Sequence, residues 1–305
     1  MSTAGRSWFH RRGALAVPGW DVVVDSDSAG FAYAGLRVTA LAEGQTATLA
    51  VDDVERLIVP LTGSFEVTHE DGAGERMTRM RGRSSVFDGP TDVLYLPTRT
   101  AATIRGTGRV AVAEAPTGER RDWQYIPAAR TPVELRGGGS STRQVHNFGT
   151  PQALDAVKLI VCEVITPAGN WSSYPPHKHD ETVPGHESQL EEIYYFESSP
   201  VRGAEGVSDA AAFGLFSTHS SPAGEIEIDK TVRTGDVALV PYGYHGPAVA
   251  APGYDLYYLN VMAGPAAERE WLISDEPAHA WVRSTWQEQG ADPRLPYMVS
   301  EKGDG

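Results

Sequence analysis

The sequence contains a single cysteine, Cys162, in 305 residues, which excludes an intrachain disulfide and any zinc module built on several thiolates. Cys162 sits in the apolar run VKLIVCEVI, where a buried, inert thiol is expected rather than a nucleophile. Basic residues are also scarce: 26 Lys and Arg stand against 40 Asp and Glu, a formal charge of -14. A field of that sign repels a phosphate backbone, so nucleic acid is not an expected partner. An anionic small molecule remains admissible, because local cations decide its binding. No apolar run approaches the ~20 residues of a membrane span. The opening MSTAGRSWFHRRGALAVPGW has arginines but lacks the apolar core of a secretion signal. We therefore expect no membrane association and a cytoplasmic location.

What the chain has in quantity is glycine (32) and proline (21), which punctuate short apolar runs such as RLIVPLTGSFEV, DVLYLP, VKLIVCEVITP and DVALVP. Runs of this length between turn residues predict antiparallel strands of a sandwich or barrel. Gly63 reads as a hairpin glycine, and His69 with the EDGAGER that follows reads as a polar loop. The glycine run in RGGGSST (136–142) suggests a bend between two packed units. Residues 1–135 are expected to form one unit, 136–275 a second, and 276–305 a C-terminal helix and mobile tail. In that helix Ala278, Trp281, Val282 and Thr285 share a face, with the tryptophan packed on the barrel. The units look related. DVLYLP at 92–97 and DVALVP at 236–241 lie at a constant offset of 144 (236 − 92 = 241 − 97), which places Ala101 opposite His245. No His-x-His precedes Pro175, so any metal site belongs to the second unit.

Histidine is rare, nine in all, yet four fall within SYPPHKHDETVPGHESQLEEIYYF (173–196) and GDVALVPYGYH (235–245): His177, His179, His186 and His245. His177 and His179 are two apart, so on a strand both imidazoles leave one face while Lys178 leaves the other, toward solvent or another subunit. Glu191 or Glu192, opening the aromatic run IYYF, can add a carboxylate, and His245 completes the set. Such a shell suits zinc, manganese, iron or nickel and leaves positions open for substrate.

Gly169, His-x-His, a delayed glutamate before an aromatic strand, and Gly235-x5-Pro241-x-Gly243-x-His245 together resemble the two signature motifs of the cupin barrel. YPPHKHD, LEEIYY, LVPYGYHG and GYDLYYLNVMAGP resemble the 5-deoxy-glucuronate isomerase family of myo-inositol catabolism, and RQVHNFG and GRSSVFDGP extend the likeness over most of the chain. The resemblance implies an all-β bicupin, two cupin-type barrels with a short C-terminal helical segment. It also implies a divalent metal on His177, His179, Glu192 and His245, with Glu191 as the alternate to Glu192. The implied activity is aldose-ketose isomerisation of 5-deoxy-D-glucuronate, a small sugar acid, to 2-deoxy-5-keto-D-gluconate. A related uronate ketol-isomerase, a cupin dioxygenase or decarboxylase, and a non-enzymatic bicupin are the alternatives. A homo-oligomer is compatible with barrel edges.

Arg143, His146 and Tyr258 form the expected catalytic set. Arg143 would clamp the sugar carboxylate through its planar fork, with Arg233 as second candidate; a salt bridge across the two units is its plain structural alternative. His146 sits where the chain enters the second unit, and a structural imidazole in the seam accounts for it equally. Tyr194, Tyr257 and Tyr258 are ordinary barrel-wall residues of which one phenol, assigned to Tyr258, reaches substrate. His10, His186, His219 and His279 receive no role.

Overall fold

A computed structural model describes residues 7–25, 31–70, 74–204 and 206–298. Its strands form three sheets. The first unit is an eight-stranded sheet in the order Val22–Val24, Gly35–Leu41, Ala101–Pro116, Val54–Glu70, Val93–Leu96 and Gln124–Ile126, with Thr46–Leu49 and Glu75–Arg83 paired onto it. The second unit faces a seven-stranded sheet, with Arg143–Gly149, Ile160–Thr166, Tyr254–Ala263, Glu191–Pro200 and Val237–Val240 among its strands, against a six-stranded one carrying His177–Lys178 and Tyr244–Ala250. Phe216 and Ala248 of the smaller sheet share a core with Val164, Tyr194 and Tyr258 of the larger. This is the expected all-β, two-barrel architecture.

Strand alternation explains the apolar runs. In Glu191–Pro200, Tyr194 and Phe196 point into the second barrel, while Ile193 and Tyr195 join a core that also contains Leu57, Val59 and Tyr95 of the first unit. Both faces are dry, so the strand reads as continuous hydrophobicity instead of alternation. At about 1.5–3 kcal/mol per large side chain buried, this shared core makes the join a packed seam. Two carboxylates reinforce it. Glu55 accepts the N–H groups of Val157, Lys158 and Leu159, and Glu191 accepts those of Ala32, Tyr33 and Ala34.

Several expectations are corrected here. The change of sheet falls before Val133–Arg136, which pairs with Arg143–Gly149, so the boundary set at 135/136 lies inside a strand of the second unit. The strand Phe9–His10 likewise crosses over to pair with Val237–Val240. Gly63 is no hairpin tip: it lies within the long Val54–Glu70 strand with φ +82 at a register shift, and an added Cβ would stand 1.8 Å from the Thr107 carbonyl oxygen. His69 belongs to the same strand, buried against the ring of Trp123 at 5.5 Å. The C-terminal helix is only Val282–Thr285, continued by a 3-10 turn at Trp286–Glu288. Trp281 is 64% exposed, and Trp286 packs inward instead. The expected tail beyond residue 298 lies outside the described residues. Among the described residues no helix is long and apolar enough to cross a membrane.

Candidate metal centre

The smaller sheet brings His177 directly across from His245, and His179 follows at the end of the same short strand. Glu192 enters from the larger sheet, sharing the inward parity of Tyr194 and Phe196. His179 Nε2 lies 2.9 Å and His245 Nε2 3.0 Å from the same carboxylate oxygen, Oε2 of Glu192. Ligand atoms of these three buried residues fall within 4.8 Å of one another. His177 flanks this group: its ring centroid is 4.5 Å from that of His245 and 6.4 Å from that of His179. Glu191 has the opposite parity and is committed to the seam.

Backbone carbonyls orient all three rings. Nδ1 of His177, His179 and His245 lies 3.2, 3.0 and 3.1 Å from the carbonyl oxygens of Pro175, Leu190 and Gly243. A carbonyl can only accept, so each Nδ1 carries a proton to donate and each Nε2 can offer a lone pair. His245 Nε2 is buried and, among the described residues, makes no hydrogen bond despite its closeness to Glu192. Burial pushes the Glu192 carboxyl up, but the neighbouring His179 and His245 outweigh it and hold the group far below the usual carboxylate range. With Nδ1 committed to a carbonyl, His179 Nε2 can meet the Glu192 oxygen at 2.9 Å only by taking a second proton to donate or by sharing a cation with it, and nitrogen plus oxygen donors suit a divalent transition metal. His179, Glu192 and His245 can therefore hold a metal ion.

The group borders a cavity of about 230 Å³ whose lining also includes Tyr258, Arg136, Arg143 and Arg283, and Glu192 and Arg143 stand on strands of the larger sheet separated by Tyr254–Ala263 and Ile160–Thr166. That volume is below the ~300–1,000 Å³ of drug-sized sites and suits a small metabolite. Arg136 is paired with Glu134 at 2.8 Å and Arg283 with Asp275 at 2.6 Å. Arg143, 5% exposed, pairs with no carboxylate among the described residues; it donates to the Ser141 carbonyl at 3.1 Å and stacks on Trp286 at 5.3 Å. Burial depresses its pKa to about 10. Tyr258 lines the cavity with its hydroxyl 3.1 Å from Ser173 Oγ, and burial raises its pKa to about 12, so the phenol stays protonated at neutral pH.

His146 is not brought to this cavity. Arg143 and Val145 face inward, while His146 and Phe148 face the seam. There His146 Nδ1 lies 2.6 Å from Glu163, which also accepts both terminal nitrogens of Arg83, at 2.6 and 2.7 Å, and the hydroxyl of Tyr257 at 2.8 Å. His146 is thus the structural imidazole. Arg233 is remote as well, donating to the carbonyls of Ala210, Ala211 and Ala212. Lys178 leaves the face opposite the histidines, as alternation requires, but it is buried, not solvated, and its Nζ lies 2.7, 2.8 and 2.9 Å from Asp180, Glu181 and Glu187. The acidic residues of the insertion between the ligands were the available signal.

Sequence reasoning also missed the strap after residue 265. It sends Trp271, Ile273 and Arg283 to the cavity wall and pairs Ser274–Asp275 with His177–Lys178. Its tryptophans, in a segment otherwise polar, were the cue.

Comparison with known proteins agrees with this architecture. A family model described as the KduI/IolB family matches residues 9–282. The 5-deoxy-glucuronate isomerase of Geobacillus kaustophilus (strain HTA426) is 40% identical over 266 residues, 86% of this chain and 90% of that protein. Its namesake from Bacillus subtilis (strain 168) is 36% identical over 262 residues, 85% of this chain and 91% of that one. Among solved structures, an IolB-like protein from Salmonella typhimurium LT2 superposes with a TM-score of 0.79 at 34% identity, covering 90% of this chain and 98% of that one. An oxalate decarboxylase from Lactobacillus farciminis follows at TM-score 0.56 and 10% identity, over 83% and 82%; at that identity the likeness is one of fold.

Proposed function

Since the chain belongs to the KduI/IolB family, and is an isomerase like its relatives, we propose that it converts 5-deoxy-D-glucuronate to 2-deoxy-5-keto-D-gluconate in the cavity beside Glu192. The observation that carries this reading is the polarity of the cavity. A cluster of metal-ligating groups stands on one side and, across two intervening strands of the larger sheet, Arg143 is buried with no carboxylate partner among the described residues. A sugar acid has matching ends, a carbonyl and a carboxylate.

The reaction is a proton relocation with no net oxidation. The hydrogen on C2 leaves as a proton and a proton is returned to C1, while the O2 hydroxyl gives up its proton to become the ketone and O1, the former aldehyde oxygen, takes one to become the new hydroxyl. A divalent ion held by His179, Glu192, His245 and the adjoining His177 would supply Lewis-acid stabilisation of the negative oxygen that develops on the way. The protein's own part is positional. Arg143 binds the far carboxylate bidentately, and Trp286 beneath it fixes the plane of the guanidinium. Tyr258, kept protonated by burial, donates a hydrogen bond toward the developing oxyanion, and the apolar wall of Val145 and Val164 excludes bulk water. Zinc, manganese, iron and nickel all meet the donor set.

The outer face of the smaller sheet carries Trp171, Val249 and Leu215 in cross-strand register, with Trp171 41% and Leu215 48% exposed. This apolar strip supports a homo-oligomer, which light scattering on the purified chain would test. The activity is tested by incubating the protein with 5-deoxy-glucuronate, with and without a chelator, and following the keto product by NMR. We expect chelator-sensitive conversion; no product from fully metallated protein would overturn the assignment.

A further inference from the structure

Asp180 is the point at which the two ligand-bearing segments are tied together, and none of its contacts touches the cavity. One carboxylate oxygen accepts from Lys178 Nζ at 2.7 Å. The other accepts the backbone N–H of Gly243 at 2.8 Å and also the Ser221 hydroxyl. Gly243 in turn offers its carbonyl to Nδ1 of His245 at 3.1 Å. Lys178 lies between His177 and His179 in sequence and is held on its outer side by Asp180 and Glu187. Glu187 closes the cluster by accepting the backbone N–H groups of Asp180 and Glu181 at 2.9 and 3.0 Å. One buried carboxylate therefore reaches both the His-x-His strand and the turn that sets the tautomer and pose of His245.

We propose that Asp180, with Lys178 as its buried counter-ion, is a positioning residue for the metal centre: it sets the spacing between the His177–His179 segment and His245. The inference rests on the metal reading above. Outer groups that orient metal ligands typically control affinity by 10–100-fold, and a hydrogen bond to a charged acceptor is stronger than a neutral one. Asp180→Asn keeps the shape and removes the charge that grips Lys178 and Gly243.

The test is Mn²⁺ titration calorimetry on the full chain, alongside far-UV circular dichroism. Wild type is expected to bind one Mn²⁺ per chain, and Asp180→Asn to bind at least about tenfold more weakly with an unchanged spectrum. Glu55→Gln, which weakens the seam far from the centre, should lower Tm without moving the Mn²⁺ affinity; this separates positioning from general destabilisation. If Asp180→Asn does not fold, Ser221→Ala removes one donor to the same carboxylate and should weaken Mn²⁺ severalfold. Wild-type affinity in folded Asp180→Asn, or in Ser221→Ala where it is the variant used, would overturn the proposal. A wild type that binds neither Mn²⁺ nor Zn²⁺ would remove the metal reading as well.

Discussion

The two barrels place related strands in the same register and fill them with opposite chemistry. Arg56 pairs with Leu96 as Glu192 pairs with Val240, so Arg56 occupies in the first barrel the position that Glu192 holds in the second. There it is neutralised internally, by Glu114 at 2.8 Å, and the position corresponding to His245 is Ala101. The residue before each is nearly equivalent in both halves. Glu55 clamps the backbone entering Ile160–Thr166, and Glu191 clamps the backbone entering Gly35–Leu41. A pseudo-twofold exchange of carboxylates thus builds the seam, while the inward-facing neighbour one residue later is free to diverge: an ion pair in one barrel, a ligand cluster in the other.

The widest separation between the halves is expected from matched substitutions at these inward positions. Glu192→Gln should abolish stoichiometric metal and lower turnover by at least about 10³-fold, since a neutral amide cannot balance a dication. Arg56→Met should leave metal content and KM untouched and cost about 3 kcal/mol of stability by exposing Glu114 as a buried charge with only Arg37 left to it. Metal analysis and denaturant unfolding of both variants check this. Loss of metal in Arg56→Met would mean that the first barrel is more than a scaffold.

Next in size is the cation end of the cavity. Arg143→Ala should raise KM for the sugar acid about 10²-fold, the usual scale for removing one partner of a desolvated charge pair. Trp286→Leu, leaving the guanidinium unsupported, should raise it about tenfold. An unchanged KM in Arg143→Ala would eliminate Arg143 as the carboxylate receptor.

The seam carboxylates give a smaller, symmetric expectation. Glu191→Gln and Glu55→Gln should each cost about 2 kcal/mol, since an amide oxygen accepts backbone N–H groups more weakly than a carboxylate, and neither should alter metal affinity. If Glu191→Gln lost metal as Glu192→Gln does, the ligand assignment between these neighbours would reverse.

That last pair shows what could be read in advance. The two-barrel fold was legible in the spacing of turn residues, and the 144-residue offset lands on true strands, since Val93–Leu96 and Val237–Val240 differ by that number at both ends. Parity also held the answer for His146: it is three residues from Arg143 on one strand, so the two cannot share a face. What sequence could not give was the environment of each face. Lys178 turns away from the histidines, but only the folded insertion shows that Asp180 and Glu187 wait there. Arg283 reaches the cavity because a strap crosses it, Trp286 lies against the Arg143 guanidinium, and helical periodicity drawn through Ala278 and Trp281 described a helix of four residues.

The smallest effect concerns pH and the part of the seam that has no counterpart across the pseudo-twofold. Burial pushes the Glu163 carboxyl up, but Arg83, with His146, outweighs it and holds the pKa at about 2, against 4.5 for the free side chain. A carboxyl with a depressed native pKa binds fewer protons folded than unfolded. Its stabilisation is therefore complete above pH 4.5 and is lost as pH falls toward 2. Glu163→Gln has no such charge to lose. The Tm gap between wild type and Glu163→Gln, on the order of 5 °C at pH 6, should narrow steadily from pH 4.5 to 2.5. Because the metal groups lie on the other side of the sheet, the narrowing should be the same in a Glu192→Gln background. A gap that stayed constant across that range would show that Glu163 acts through packing alone, and that acid opens the protein elsewhere than at the join between its barrels.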